Sequence, residues 1–324
     1  MKPRIIVSGR LSPAQLAELD EHFQLIELES PLDLTQLNVR EALQEAQGII
    51  GSSLLITDEL LEASPALKVI ATISVGYDHL PVDELTRRGI LVCNTPDVLT
   101  ETTADTGFAL IMATARRVVE LANWVKANQW QQSLGPALFG SDVHGKTLGM
   151  VGFGRIGQAV AKRGALGFGM RILYSNASPK PDLEQALGAQ RRELNALLAE
   201  SDFVCLTVPL TADTEHLFGA AELARMKPSA ILVNIARGKV VDEPALIEAL
   251  QQGVIKAAGL DVFAQEPLAH DSPLLQMTNV VALPHIGSAT HETRDAMAQR
   301  AVDNIRMALQ GQRPISLVNE EVWK

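Results

Sequence analysis

The chain has 324 residues, more than one hydrophobic core usually serves, so two domains of ordinary size are expected. With 47% hydrophobic and 20% charged residues it is globular, neither a disordered chain nor a small disulfide-held scaffold. Its 28 Lys and Arg against 38 Asp and Glu leave a net charge of −10, the wrong sign for a protein that works on phosphate backbones or acidic membranes, so neither nucleic acid nor membrane is an expected partner.

Short β-branched runs alternate with amphipathic stretches from the start. Residues 4–8 read as a strand. Ser12 can cap a helix that Pro13 opens, with Gln15 completing a capping box. Further strands are expected at 24–28, 48–51, 69–73 and 90–93, with helices at 58–63 and 83–88. This repeated βα pattern predicts a parallel sheet with helices on its faces. A long helix is expected over 100–128. Its first half, Phe108-Ala109-Leu110-Ile111-Met112-Ala113, is apolar on nearly every face, which suggests burial between domains or against a second subunit.

The pattern then restarts, with strands expected at 147–151, 171–174, 203–208, 231–235, 257–262 and 280–283. These six predict a second doubly wound sheet, and a closing helix over 290–309 is expected to pack back on the first domain. Cys93 and Cys205 each lie inside an apolar run and read as buried, reduced thiols; no metal site is expected. The apolar segment at residues 5–7 is too short for a signal peptide, and no run approaches the roughly 18 apolar residues of a membrane span, so a cytoplasmic setting is expected.

Gly152-Phe153-Gly154-Arg155-Ile156-Gly157 fits G-x-G-x-x-G, follows the apolar run Leu148-Gly149-Met150-Val151 and opens a helical stretch, as a dinucleotide fingerprint requires. Gly152 permits the tight turn, Gly154 lets the backbone approach a pyrophosphate, and Gly157 lets the helix sit close on the strand. The phosphates then face free N–H groups and the positive end of the helix dipole. About 20 residues on, where NAD-binding chains place a carboxylate for the ribose 2′-hydroxyl, this sequence reads Ser175-Asn176-Ala177-Ser178-Pro179-Lys180. With no acid to repel a 2′-phosphate, NADP(H) is the expected cofactor and NAD(H) the alternative.

Three further segments place a charged or titratable residue just beyond an apolar strand: Arg237 after 231–235, Glu266 after 257–262 and His285 after 280–283. Ligands of an open parallel sheet bind beyond the carboxyl ends of its strands, so the three are expected to converge near the nicotinamide. The set suits reduction of a 2-oxo acid. His285 can donate the proton that the developing alkoxide needs, Glu266 can orient and charge the ring, and Arg237 offers a planar fork to a carboxylate and the adjacent keto oxygen.

With these residues in place the sequence resembles the D-isomer-specific 2-hydroxyacid dehydrogenases nearly end to end, most closely the glyoxylate/hydroxypyruvate reductase B, or 2-ketogluconate reductase, type. The resemblance rests on Ile73-Ser74-Val75-Gly76-Tyr77-Asp78, Thr100-Glu101-Thr102-Thr103-Ala104-Asp105, the Gly152 turn, Ser201-Asp202-Phe203-Val204-Cys205-Leu206, Ala236-Arg237-Gly238 and the run from Pro284 to Thr293. It implies a Rossmann cofactor domain (102–289) inserted in a flavodoxin-like substrate domain (1–101 and 290–324), whose closure would exclude water from the reaction. It implies Arg237, Glu266 and His285 as catalytic residues, and Val75 and Gly76 amides on the substrate carboxylate, with Leu54 lining the pocket. Arg155 and Ile156 would lie at the pyrophosphate, Thr103 near the nicotinamide end and Asp261 on the nicotinamide carboxamide, with Ala236 also at the cofactor; Ser175 and Asn176, read from the sequence, offer donors at the ribose. The implied activity is NADPH-dependent reduction of glyoxylate, hydroxypyruvate or 2-ketogluconate by a homodimer, with Trp130 either reaching the neighbouring subunit or serving as packing.

Glu266 stands where formate dehydrogenases of this superfamily carry glutamine, which argues against that activity. Two alternatives stay open: an NAD-dependent dehydrogenase of phosphoglycerate or D-lactate type, although no regulatory extension follows Lys324, and a nucleotide-sensing corepressor-like binding protein, which would be expected to carry a Pro/Ser-rich tail.

Overall fold

The computed structural model describes residues 2–9 and 11–323. They form two compact units, Met1–Leu99 with Thr290–Lys324, and Thr100–Ala289. The first holds five parallel strands, β1 (Arg4–Ser8), β2 (Gln24–Glu27), β3 (Ala46–Gly51), β4 (Val69–Thr72) and β5 (Leu91–Cys93), in the order β2-β1-β3-β4-β5. That is the flavodoxin-like order, with the direction of winding reversed between β1 and β3. The helices between them are α1 (Pro13–His22), α2 (Leu37–Glu45), α3 (Asp58–Glu62) and α4 (Val82–Arg87).

Helix α1 begins where the sequence requires. The Ser12 side chain accepts from the Gln15 N–H while the Gln15 side chain accepts from the Ser12 N–H, a reciprocal cap of a kind that stabilises a helix by about 1 kcal/mol. The closing helix, His291–Leu309, is capped by Thr290 and packs on β3, β4 and β5 of this unit, as expected. Gly48 allows the approach, because a Cβ there would stand 2.8 Å from Ile305 Cδ1.

The second unit carries seven parallel strands: β6 (Thr147–Val151), β7 (Arg171–Ser175), β8 (Gln190–Arg191), β9 (Phe203–Leu206), β10 (Ile231–Asn234), β11 (Ala257–Leu260) and β12 (Val280–Ala282). Their order, β12-β11-β10-β9-β6-β7-β8, reverses direction between β6 and β9, the crevice where a doubly wound sheet binds its ligand. One face is covered by α5 (Thr100–Ala115), α7 (Arg155–Lys162) and α8 (Pro181–Leu187). The other is covered by α9 (Leu194–Glu200), α10 (Ala220–Arg225) and α11 (Glu243–Gln251). In register, Val151, Leu206, Asn234, Leu260 and Ala282 lie side by side. Whatever follows these residues therefore emerges along one edge, which is why motifs so far apart in sequence share a neighbourhood.

Two expectations are corrected. The long helix over 100–128 is two helices, α5 and α6 (Val118–Lys126), broken at Arg117, whose φ is +55°. The cause is tertiary: the Ala115 carbonyl accepts from the Ser141 N–H at 2.8 Å, and the Arg117 guanidinium pairs with Glu120 and donates to the Ala137 carbonyl. The apolar faces of α5 are covered by its own unit, against α7, β10 and β11. The six expected strands are seven, β8 being a two-residue edge pairing with β7. Among the described residues no helix is long and apolar enough to cross a membrane.

Candidate active site

The glycine turn behaves as its spacing demands. Gly152 has φ +88°, and a Cβ there would lie 2.8 Å from the Val208 N. At Gly157 a Cβ would stand 2.6 Å from the Gly152 carbonyl oxygen and 2.7 Å from Thr207 Oγ1, so only glycine lets α7 seat on the turn. Gly154, the N-cap of α7, faces open space, with no heavy atom within 4 Å of where a Cβ would be. Arg155 is exposed at the first helical position, while Ile156 packs toward the core. Phe153 stacks on Tyr174 with ring centroids 4.3 Å apart and fixes the turn from below. A helix N-terminus with room beside a glycine backbone fits a pyrophosphate.

The loop after β7 is tied to this turn. Ser175 accepts from the Gly152 N–H through its carbonyl at 2.9 Å, and Asn176 Oδ1 accepts from the Phe153 N–H at 3.0 Å. Asn176 Nδ2 donates to the Ser178 carbonyl, so this side chain, expected at the ribose, joins two loops. A cation that the sequence did not reveal stands here: Arg191, on β8, donates from Nη2 to the carbonyls of Asn176 and Ala177, each at 3.0 Å. It lies 15 residues downstream of Asn176, and only the β7–β8 pairing brings it to the loop.

Arg237, Glu266 and His285 all belong to the second unit, on the loops after β10, β11 and β12. His285 Nδ1 lies 2.7 Å from Glu266 Oε2, and Glu266 Oε1 accepts from the Phe263 N–H at 3.0 Å. Burial alone would raise the Glu266 carboxyl. The His285 bond, the Phe263 N–H and the charges of His285 and Arg237 outweigh it and hold the group below its ordinary value of 4.5. Gly238 brings the Arg237 loop onto the Glu266 loop, for a Cβ there would fall within the Phe263 carbonyl. Glu243, at the start of α11, accepts from the Ala264 N–H and anchors the same segment. Asn234 Oδ1 accepts from the Ala236 N–H, and its Nδ2 donates to the Arg237 carbonyl, which fixes the bend after β10.

Asp261 is 2% exposed, and its two oxygens accept from the N–H groups of Ile286 (2.7 Å) and Gly287 (2.8 Å). It therefore holds the His285 loop, a role the sequence does not announce. Burial lifts its carboxyl above the usual range despite those two bonds and the nearby His285 charge, with Glu266 adding to the rise. Thr103 of α5 is buried beside it: a Cβ on Gly287 would meet Asp261 Oδ2 at 3.1 Å and Thr103 Cγ2 at 3.2 Å.

In the first unit, Val75 and Gly76 form the half-buried turn after β4. Leu54, expected to line the substrate pocket, is 3% exposed and belongs to the core with Ile6, Ile49 and Ile70, because β3 ends at Gly51 and its loop folds inward; Leu55 is the exposed neighbour. Among the described residues no group of three or more His, Cys, Asp or Glu is placed to hold a metal ion.

Comparison with known proteins then bears on this geometry. A sequence model described as D-isomer specific 2-hydroxyacid dehydrogenase, NAD binding domain, matches residues 108–287. The chain belongs to the D-isomer-specific 2-hydroxyacid dehydrogenases. As a member it is an NAD(P)-dependent oxidoreductase that interconverts 2-oxo and 2-hydroxy acids. It is 55% identical to glyoxylate/hydroxypyruvate reductase B of Escherichia fergusonii over the whole of both chains. An NADPH-dependent glyoxylate/hydroxypyruvate reductase of Sinorhizobium meliloti, crystallised with NADP and malonate, is 35% identical, with a TM-score of 0.87 over 99% of this chain and 98% of that one. D-lactate dehydrogenase of Aquifex aeolicus, crystallised with NAD and lactic acid, is 31% identical, also with a TM-score of 0.87, over 98% of this chain and 99% of that one.

Proposed function

We propose that this dehydrogenase reduces glyoxylate, hydroxypyruvate and 2-ketogluconate to D-2-hydroxy acids, with NADPH as preferred reductant and NADH as the alternative. The observation that carries the reading is the 2.7 Å His285–Glu266 pair on the same sheet edge as the dinucleotide turn. The likeness to the reductases of Escherichia fergusonii and Sinorhizobium meliloti supports the substrate class. Residues 100–289 are the proposed cofactor domain, and residues 1–99 with 290–324 the proposed substrate domain.

A bound reduced nicotinamide supplies the hydride. His285, its Nδ1 held by Glu266, presents Nε2 as proton donor to the oxygen that gains charge. Glu266 stays ionised into acid and holds the ring through its Oε2. Arg237 offers its fork to the carboxylate and keto oxygen, and the Val75 and Gly76 N–H groups take the carboxylate. Gly152, Gly154, Arg155, Ile156 and Gly157 would cradle the pyrophosphate, Thr103 and Asp261 would border the nicotinamide, and Ala236 would contact the cofactor. Ser175 and Asn176 would lie at the ribose. The absence of a carboxylate after β7, with Arg191 of β8 bonded to that loop, supports NADPH.

We assign a second copy of the chain to the surface of α6 and the segment after it, where Val118, Val119, Val125, Trp130 and Phe139 are exposed, which makes the enzyme a homodimer. Both cysteines are free and buried, as suits the cytoplasm.

The test is steady-state kinetics with glyoxylate, hydroxypyruvate, 2-ketogluconate, pyruvate and phosphohydroxypyruvate, each with NADPH and with NADH. The first three with NADPH are expected to give the highest kcat/KM; a clear preference for another acid or for NADH refutes the corresponding part. His285→Ala is expected to abolish reduction while NADPH still binds in a fluorescence titration.

A further inference from the structure

The turn Ser74-Val75-Gly76 is held from one side by a chain of amides within the first unit. The Thr95 N–H donates to the Ser74 carbonyl at 2.9 Å, and Asn94 Nδ2 donates to the Val75 carbonyl at 2.8 Å. Ser74 Oγ donates to the Gly76 carbonyl at 2.7 Å. Asn94 is fixed in turn. Its carbonyl accepts from Nδ2 of the fully buried Asn304 at 3.0 Å, and its N–H donates to the Ser316 carbonyl at 3.3 Å. Asn304 Oδ1 accepts from the Ser316 N–H at 3.0 Å.

The peptide bonds of this turn are trans. In a trans peptide a carbonyl and the following N–H point in opposite directions. Anchoring the Ser74 and Val75 carbonyls toward Thr95 and Asn94 therefore turns the N–H groups of Val75 and Gly76 the other way. Neither donates to a backbone carbonyl among the described residues. Successive N–H groups turned outward together form an anion-binding concavity.

We propose that Asn94 is a positioning residue for the substrate carboxylate: by gripping the Val75 carbonyl it aims the Gly76 N–H. It acts through the Val75 carbonyl rather than on the reacting atoms. In the sequence it stands in Cys93-Asn94-Thr95-Pro96, where it reads as an ordinary turn residue. The proposal rests on the assignment above of the Val75 and Gly76 amides to the carboxylate, and deepens it.

The experiment compares wild type, Asn94→Ala, Asn94→Asp and Val75→Pro for glyoxylate KM and kcat, competitive inhibition by malonate, NADPH dissociation constant and thermal melting. Asn94→Asp keeps size but sets an oxygen against the Val75 carbonyl. Both Asn94 variants are expected to raise the glyoxylate KM and the malonate Ki at least tenfold, with a smaller fall in kcat and NADPH affinity within twofold. Unchanged malonate inhibition in the Asn94 variants, with Val75→Pro weakening it, overturns the proposal and leaves the carboxylate assignment standing. Unchanged inhibition in all three variants removes that assignment, and the proposal with it. Loss of cooperative melting in both Asn94 variants makes the residue a part of the fold alone and likewise overturns it.

Discussion

Replacing Glu266 by glutamine keeps the shape of the His285 partner and removes its charge. Glu266 Oε1 accepts from the Phe263 N–H, and the replacement amide can meet that donor only with its oxygen, which leaves its NH2 facing His285 Nδ1. The imidazolium, a donor at both nitrogens, then loses its acceptor. Unit charges ~4 Å apart attract by about 4 kcal/mol at an effective dielectric of 20. The two side chains are 47% and 36% exposed, and solvent screening brings the figure to that of surface pairs, about 1 kcal/mol. Loss of an interaction of that size from the transition state is roughly fivefold in rate. Glu266→Gln is therefore expected to lower kcat/KM for glyoxylate about fivefold or more while NADPH binding is kept. The assay is steady-state glyoxylate reduction, with NADPH binding measured alongside. An unchanged kcat/KM would show that Glu266 does not act through His285.

Gly238→Ala forces the Arg237 and Glu266 loops apart; overpacking of this kind costs about 1–3 kcal/mol, so a lower melting temperature and at least a tenfold loss of kcat/KM are expected, and a fully active variant would refute the contact. Arg191→Ala is expected to weaken NADP+ binding, measured by calorimetry, about tenfold while NAD+ binding stays within twofold, the size of one charge-assisted bond; equal effects on both would make Arg191 a loop clamp only. Asp202 tests pH linkage. Burial raises its carboxyl, but the Lys227 bond and the Thr147 N–H outweigh burial and hold it below its ordinary 3.8. A depressed folded value adds stability above the ordinary one, lost as pH falls through the folded value. Asp202→Asn should therefore melt a few degrees lower at neutral pH and lose less on acidification below about pH 4; parallel melting curves would contradict this.

The strands were legible because parallel strands buried on both faces are short β-branched runs between polar turns, as in 147–151 and 231–234, and their buried pattern needs no partner to be recognised. What escaped was set by contacts. Helix α2 has no side-chain cap and buries only Val39, Ala42 and Leu43, and α8 buries nothing, so neither shows a long apolar stripe. Strand β8 is two exposed residues, a strand solely because β7 pairs with it. The break at Arg117 depends on Ser141 reaching the Ala115 carbonyl, which no window around the helix contains.

The site divides in the same way. Residues whose chemistry is tied to a strand end could be read in sequence, since the register alone places Gly152, Arg237, Asp261 and His285 along one edge. Residues that hold the loops against each other could not: Gly238 against Phe263, Glu243 on Ala264, Asp261 on Ile286 and Gly287, Arg191 on the loop after β7. Their meaning lies in which loops meet. Asp261 shows the difference most sharply. The family resemblance assigns it to the nicotinamide, yet both its oxygens are spent on the two N–H groups just after His285. The direction of the proposed acid is thus set by a carboxylate 24 residues before it in the chain, and the strand pairing of β11 with β12 is what makes that reach short.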